Sequence, residues 1–306
     1  MNKFSNGMIQ LGEQQRAYRI QGRVFLVGCP RSGTTLLQSF LAAHPQIYSL
    51  RETDFFPVLF PSRRLLKIAG LASPRVKHHL VSLLEEPNRA DLKTQLPKLG
   101  LFANQYTRAF INVLDTLALE QGTPIWLEKT PRHLHFVDYI EKHVPQVRFI
   151  HLIRDGVDQV ASGYDLERKY GRWKEAPEPQ TQEELLERLD GNISRWIRDV
   201  QLSYKYCSRK NHTLVEYEAL LDATTDTLKD LCHFLQIEYS DQMIVERQKV
   251  AQELTPDDKA GFYNVRNNLY DPGHAKFYNL FNEEVRQYIL ERVSPLRDKK
   301  RWNRPV

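Results

Sequence analysis

The chain has 306 residues, 41% hydrophobic and 26% charged, with 14 glycines and 16 prolines, a composition that can bury a sizeable core and that excludes disordered, collagenous and fibrous classes. Its 43 Lys and Arg against 38 Asp and Glu give a formal net charge of +5, which suits an anionic ligand and is too small to demand nucleic acid. Three cysteines, Cys29, Cys207 and Cys232, match neither a zinc site nor a disulfide framework and read as reduced thiols.

The first 22 residues are polar and lack an apolar leader core, and no later run approaches the ~18 apolar residues of a membrane span. The reading is a cytoplasmic protein that binds no nucleic acid. Residues 23–28 are a short apolar run ending in a Gly/Pro turn, and residues 35–43 then carry apolar side chains at helical spacing, so strand, loop and helix are expected. The pattern recurs at 124–127, followed by a helix through 140, and at 147–153, followed by a helix from 157. A last strand, 212–217, precedes a helix at about 225–235. Short buried strands alternating with helices predict an α/β fold, a parallel sheet flanked by helices on both faces. Two stretches interrupt it: residues 55–121, largely helical, and the polar 170–182, expected as a lid. One domain over 1–306 with these two decorations is predicted.

The sharpest local signal is Gly28-Cys-Pro-Arg-Ser-Gly-Thr-Thr35. Backbone N–H groups of such a turn, with the positive end of a helix, make a P-loop-like anion site. Gly33 permits close backbone approach, and the hydroxyls of Thr34 and Thr35 can donate to phosphate oxygens. Thr34 stands where a nucleotide triphosphatase carries its lysine, so no magnesium-organised kinase is implied; a plain capped turn is the simpler alternative. A second anchor follows residues 147–153, where Arg154 can grip a phosphate bidentately and Ser162, about two helical turns on, can add a hydroxyl. Asp155 reads as a helix cap. Two phosphate anchors on two strands suggest a nucleotide phosphorylated at two separate positions, which points away from ATP.

On these residues the chain resembles the sulfotransferases that use 3′-phosphoadenosine 5′-phosphosulfate (PAPS), and is most similar to the tyrosylprotein and carbohydrate branches and their bacterial relatives. Cys29-Pro-Arg-Ser-Gly-Thr-Thr35 matches the 5′-phosphosulfate loop of that family, and Arg154 with Ser162 matches its 3′-phosphate pair. The resemblance further implies that Glu52, just before Thr53, is the base, that Lys129 with Arg31 stabilises the sulfuryl and leaving oxygens, and that Tyr217 reaches the nucleotide. With Ser32, Gly33, Thr34 and Thr35 these complete most of the implied donor site. Lys276 and Arg266, near the 271–277 segment, are candidates for the remaining 3′-phosphate contacts, a solvated surface loop being the equal alternative. PAP would be the product, a hydroxyl-bearing small molecule, glycan, lipid or peptide the acceptor. His133 is the competing base, although such histidines are more often helix-face residues.

No His, Cys, Asp or Glu cluster has metal-ligand spacing, so no metal is expected. Residues 61–79 are basic and amphipathic; a helix packing its apolar side on the sheet is favoured over contact with a membrane surface. Trp173, in the lid, is a candidate acceptor contact. A P-loop phosphotransferase and a non-catalytic PAP-binding module remain as alternatives.

Overall fold

The computed structural model describes residues 19–85, 89–98, 100–255 and 274–297. Five strands, β1 (Gly22–Gly28), β2 (Ile47–Ser49), β3 (Ile125–Lys129), β4 (Val147–Ile153) and β5 (His212–Glu216), form one parallel sheet in the order β2-β3-β1-β4-β5. The near-continuous apolar runs of β1, β3 and β4 are what a sheet covered on both faces requires. Side-chain alternation sorts them: Phe25 and Val27 pack with Trp126 and Phe149 on one face, and Val24 and Leu26 with Leu127, Ile150 and Leu152 on the other. Phe25 meets Trp126 edge-on at 5.4 Å between ring centroids, a favoured aromatic geometry.

Each strand hands the chain to a turn or helix at the same sheet edge. β1 leads to α1 (Thr34–Ala42), β2 to α2 (Phe55–Leu59), β3 to a 3₁₀ helix (Pro131–Phe136) and α6 (Val137–His143), β4 to α7 (Gly156–Lys169), and β5 to α9 (Tyr217–Asp222) and α10 (Thr224–Leu235). Carboxyl ends of parallel strands are where such sheets bind ligands. The edge strand β2 escaped the sequence reading because three residues are too few to show a period. The helix expected after Lys129 opens instead as 3₁₀, with Pro131, His133 and Leu134 buried in its short turn.

The 55–121 insertion holds α2, α3 (Arg64–Ile68), α4 (Val76–Glu85), a 3₁₀ turn (Ala90–Gln95) and α5 (Ala103–Glu120). The 61–79 segment is not one amphipathic helix. α3 buries no residue, leaving Leu65 80% and Ile68 71% exposed, while α4 buries Val76, Leu80 and Leu84. The 170–182 stretch is a turn-rich connection before the long helix α8 (Gln182–Tyr206). Its Trp173 lies beside Tyr164, between the guanidinium groups of Arg172 and Arg188. Beyond α10 follow α11 (Gln242–Val245), α12 (Arg247–Leu254), α13 (Ala275–Leu280) and α14 (Glu283–Arg297). Among the described residues no helix is long and apolar enough to cross a membrane.

Candidate active site

The turn between β1 and α1 is built by close approaches. A Cβ on Gly28 would stand 2.3 Å from the Leu152 carbonyl oxygen, and one on Gly33 (φ 94°) 2.4 Å from the Tyr217 ring. Glycine is therefore required at both positions. Arg31 is left-handed (φ 73°) without being glycine, a conformation costing about 1–2 kcal/mol, of the kind that clusters at functional loops. Gln159 on α7 donates to the Pro30 carbonyl at 2.9 Å and anchors the loop. Cys29 sits beneath it, 1% exposed, its thiol pushed well above its ordinary pKa by burial and by nearby Asp199, as expected of a small apolar residue and not of a nucleophile.

At the start of α1 the Gly33 carbonyl accepts from Leu36 and Leu37. The N–H groups of Thr34 and Thr35 precede the first possible intrahelical acceptor, and no side chain caps this end. Beneath lies Ser32, fully buried, its Oγ without a hydrogen-bond partner among the described residues. Opposite stands Arg154, its Nε likewise buried and unpartnered and its guanidinium 4.3 Å from the Tyr217 ring centroid. Burial, followed by repulsion from Arg154, draws the Arg31 pKa downward. Two guanidinium groups near enough to repel, with orphaned donors, make an arrangement that can take up an anion. Arg31 Nε reaches Ser162 Oγ on α7 at 3.4 Å, which links the loop to the second anchor. Asp155 caps α7, accepting from the Val157 N–H at 3.0 Å and from Arg297 at 2.9 Å.

A second line of groups runs from the loop to β2. Lys129, 2% exposed at the end of β3, donates to Thr35 Oγ1 at 3.1 Å and forms a salt bridge with Glu52. The Glu52 side chain keeps 39% of its surface exposed. Gln38 on α1 places the exit of β2, donating to Ser49 Oγ at 3.0 Å and to the Leu50 carbonyl at 2.7 Å. Beside Lys129, Glu128 points to the opposite face and never meets it. It accepts from Thr53 Oγ1 at 2.7 Å and Thr130 Oγ1 at 2.6 Å, and contacts His133 Nδ1 at 2.8 Å. Burial raises the Glu128 pKa, but His133 and the two hydroxyls outweigh it and hold the carboxyl below its usual range. With Nε2 accepting from the Phe56 N–H at 3.3 Å and no exposed surface, His133 braces the Thr53 turn and faces away from the loop.

The structure thus brings Arg31, Ser32, Gly33, Thr34, Thr35, Arg154, Ser162 and Tyr217 around one turn, with Lys129 and Glu52 leading away from it. Lys276, on α13, donates to Asp165 at 2.9 Å, three residues beyond Ser162 on α7. Arg266 lies outside the described residues. Gln38 and Gln159 were missed from sequence, which shows no sign of polar groups whose partners are far along the chain. Among the described residues no group of three or more His, Cys, Asp or Glu could hold a metal ion.

Known proteins share sequence and fold with this chain. The chain is 24% identical over 299 residues to an uncharacterised protein of Aquifex aeolicus, covering 92% of this chain and 35% of that one. It is 23% identical over 242 residues to protein-tyrosine sulfotransferase 1 of Danio rerio, covering 75% and 57%. It therefore spans about a third to just over a half of the length of these relatives. The sulfotransferase domain of the Synechococcus PCC 7002 olefin synthase superimposes with a TM-score of 0.56 at 18% identity, over 90% of this chain and 94% of that domain. A mouse sulfotransferase solved with PAP gives 0.52 at 15% identity, over 91% and 86%. The sulfotransferase family model itself matches residues 23–241, from the first residues of β1 past the end of β5, and by that match the chain belongs to the sulfotransferase family.

Proposed function

We propose that the protein moves a sulfuryl group from PAPS to an acceptor hydroxyl. The observation that carries this reading is the pairing of two anion subsites, the Arg31 to Thr35 turn and the Arg154 and Ser162 anchor, with a Lys129–Glu52 line beside the first. Unpartnered donors at Ser32 and Arg154 fit a doubly phosphorylated nucleotide, and the mouse relative was solved with PAP.

When bound, PAPS supplies an activated sulfuryl group whose departure leaves PAP. The protein's part is positioning and electrostatics. The Thr34 and Thr35 N–H groups and hydroxyls hold the 5′ end, while Arg154 and Ser162 hold the 3′-phosphate and Tyr217 flanks it. Glu52 takes the acceptor proton as the acceptor oxygen bonds to sulfur. The sulfur–oxygen bond to the 5′-phosphate breaks, its electron pair leaves with PAP, and Lys129 and Arg31 stabilise that charge. Lys129, already bonded to both Glu52 and Thr35, is placed to turn from the carboxylate to the leaving oxygen.

Calorimetric titration with PAP, ATP and GTP, with and without magnesium, followed by transfer of labelled sulfate from PAPS to an acceptor panel, tests the reading. PAP should bind without magnesium and label should move to a hydroxyl. Magnesium-dependent ATP binding would favour a phosphotransferase, and PAP binding with no transfer to any acceptor a binding module.

A further inference from the structure

Beside the Lys129–Glu52 line lies a cavity of about 550 Å³, within the ~300–1,000 Å³ typical of small-molecule sites. Glu52 lines one end of it, and Gln121 and Thr123, before β3, line the other. The wall between follows β2 and then the bend that leaves it, from Ile47 to Glu52. The rest of the lining is largely apolar, with Leu80 and Leu83 from α4, Phe110 and Val113 from α5, and Val250 and Leu254 from α12.

Such a chamber has an evident polarity. Its one carboxylate in line with the anion loop sits at the Glu52 end, bonded through Lys129 to Thr35. A ligand that buries apolar surface along β2 with its hydroxyl at that end presents it to Glu52; Gln121 and Thr123 at the far end and Glu253 on α12 are further polar lining. Among the described residues the insertion that builds the α4 and α5 walls adds no cationic side chain to the cavity, and Arg51 is the one basic residue that lines it, too little to read an acidic peptide.

We infer that this cavity is the acceptor site and that it takes an aliphatic alcohol, the chain lying along β2 and the hydroxyl meeting Glu52. The inference rests on the transferase reading: the alcohol oxygen bonds to sulfur, its proton goes to Glu52, and PAP leaves with the electron pair of the broken bond. Each methylene buried contributes about 0.8 kcal/mol, which at 1.36 kcal/mol per decade is about a fourfold fall in KM.

The test measures sulfate transfer from PAPS to n-butanol, n-octanol and n-dodecanol, with a tyrosine-containing acidic peptide as comparison. KM should fall steeply along the alcohol series, about two- to fourfold per methylene until the cavity is filled, and n-dodecanol should be the better substrate than the peptide. In Leu83→Trp, which fills the chamber from a half-buried position on α4, KM for n-dodecanol should rise at least tenfold relative to that for n-butanol. The series on the unaltered protein decides even if that variant misfolds. A flat KM series, transfer to the peptide alone, or PAP binding without transfer to any alcohol overturns the inference. Absence of PAP binding overturns the transferase reading itself, so the two failures are distinguishable.

Discussion

Replacing Glu52 by Gln separates a base from a group that merely holds Lys129. The amide retains the size of the side chain and an oxygen that can accept from the Lys129 ammonium, so the link from β2 through Lys129 to Thr35 can persist. It has no usable basicity. Loss of general-base catalysis lowers turnover by about 10²–10⁴, a barrier increase of about 2.7–5.5 kcal/mol at 1.36 kcal/mol per decade. The structural cost is much smaller. The Lys129 side chain is 3% exposed but that of Glu52 is 39% exposed, so solvent already screens the carboxylate, and exchanging a charged for a neutral acceptor costs about 1 kcal/mol. In a chain of 306 residues, at about 2.1 cal/mol/K of unfolding entropy per residue, that lowers Tm by about 1.5 °C. The assay is turnover at saturating PAPS, with PAP affinity by calorimetry and Tm on the same preparation. Turnover down at least a hundredfold with PAP affinity within threefold is the expected outcome. Turnover within threefold of the parent, with the fold intact, would refute the assignment of the base.

Arg154→Ala should weaken PAP by about a hundredfold or more, the scale of losing one partner of a buried charge-assisted pair, while adenosine 5′-phosphosulfate, which lacks the 3′-phosphate, should lose less than threefold by calorimetry; equal losses would remove Arg154 from the 3′ subsite. Gly33→Ala places a methyl 2.4 Å from the Tyr217 ring at φ 94°, so a left-handed penalty of about 1–2 kcal/mol adds to displacement of Tyr217 from Arg154. Thermal melts should show the loss of stability, and PAP affinity should fall with it. Glu128, held below the usual carboxylate range in the fold, contributes stability that is fully present above its unfolded pKa of about 4.3 and is lost as pH falls through its lowered folded value. Urea melts between pH 6 and pH 2.5 should therefore show a slope below about pH 4 that Glu128→Gln reduces; an unchanged slope would mean that other carboxylates dominate acid unfolding.

The turn between β1 and α1 was legible in the sequence because its determinants are local. An apolar run ending at Gly28, a glycine at position 33 and hydroxyls at 34 and 35 specify strand, tight turn and open helix start from neighbouring residues alone. Arg154 and Ser162 were read together because one strand end and one helix carry them, whereas the contact that Ser162 makes in the fold is with Arg31. Asp155 as a cap is local in the same way.

What tertiary structure decided involves residues far apart in sequence. The bond from Lys129 to Glu52 joins positions 77 apart, and that from Arg31 to Ser162 positions 131 apart. Strand parity settled which of two adjacent residues, Glu128 or Lys129, turns toward the loop: successive side chains leave opposite faces, and only the register of β3 against β1 and β2 assigns each face to a neighbour. His133 was drawn away by the same choice, because the Glu128 face is the one against which its 3₁₀ turn packs. Lys276 was read from its charge, and only the packing of α13 on α7 revealed Asp165 as its partner. The cavity along β2 was the least legible feature, since its walls come from α4, α5 and α12. Periodicity marks a side chain as apolar and buried, but not whether the space it faces is filled by another side chain or left open to a ligand.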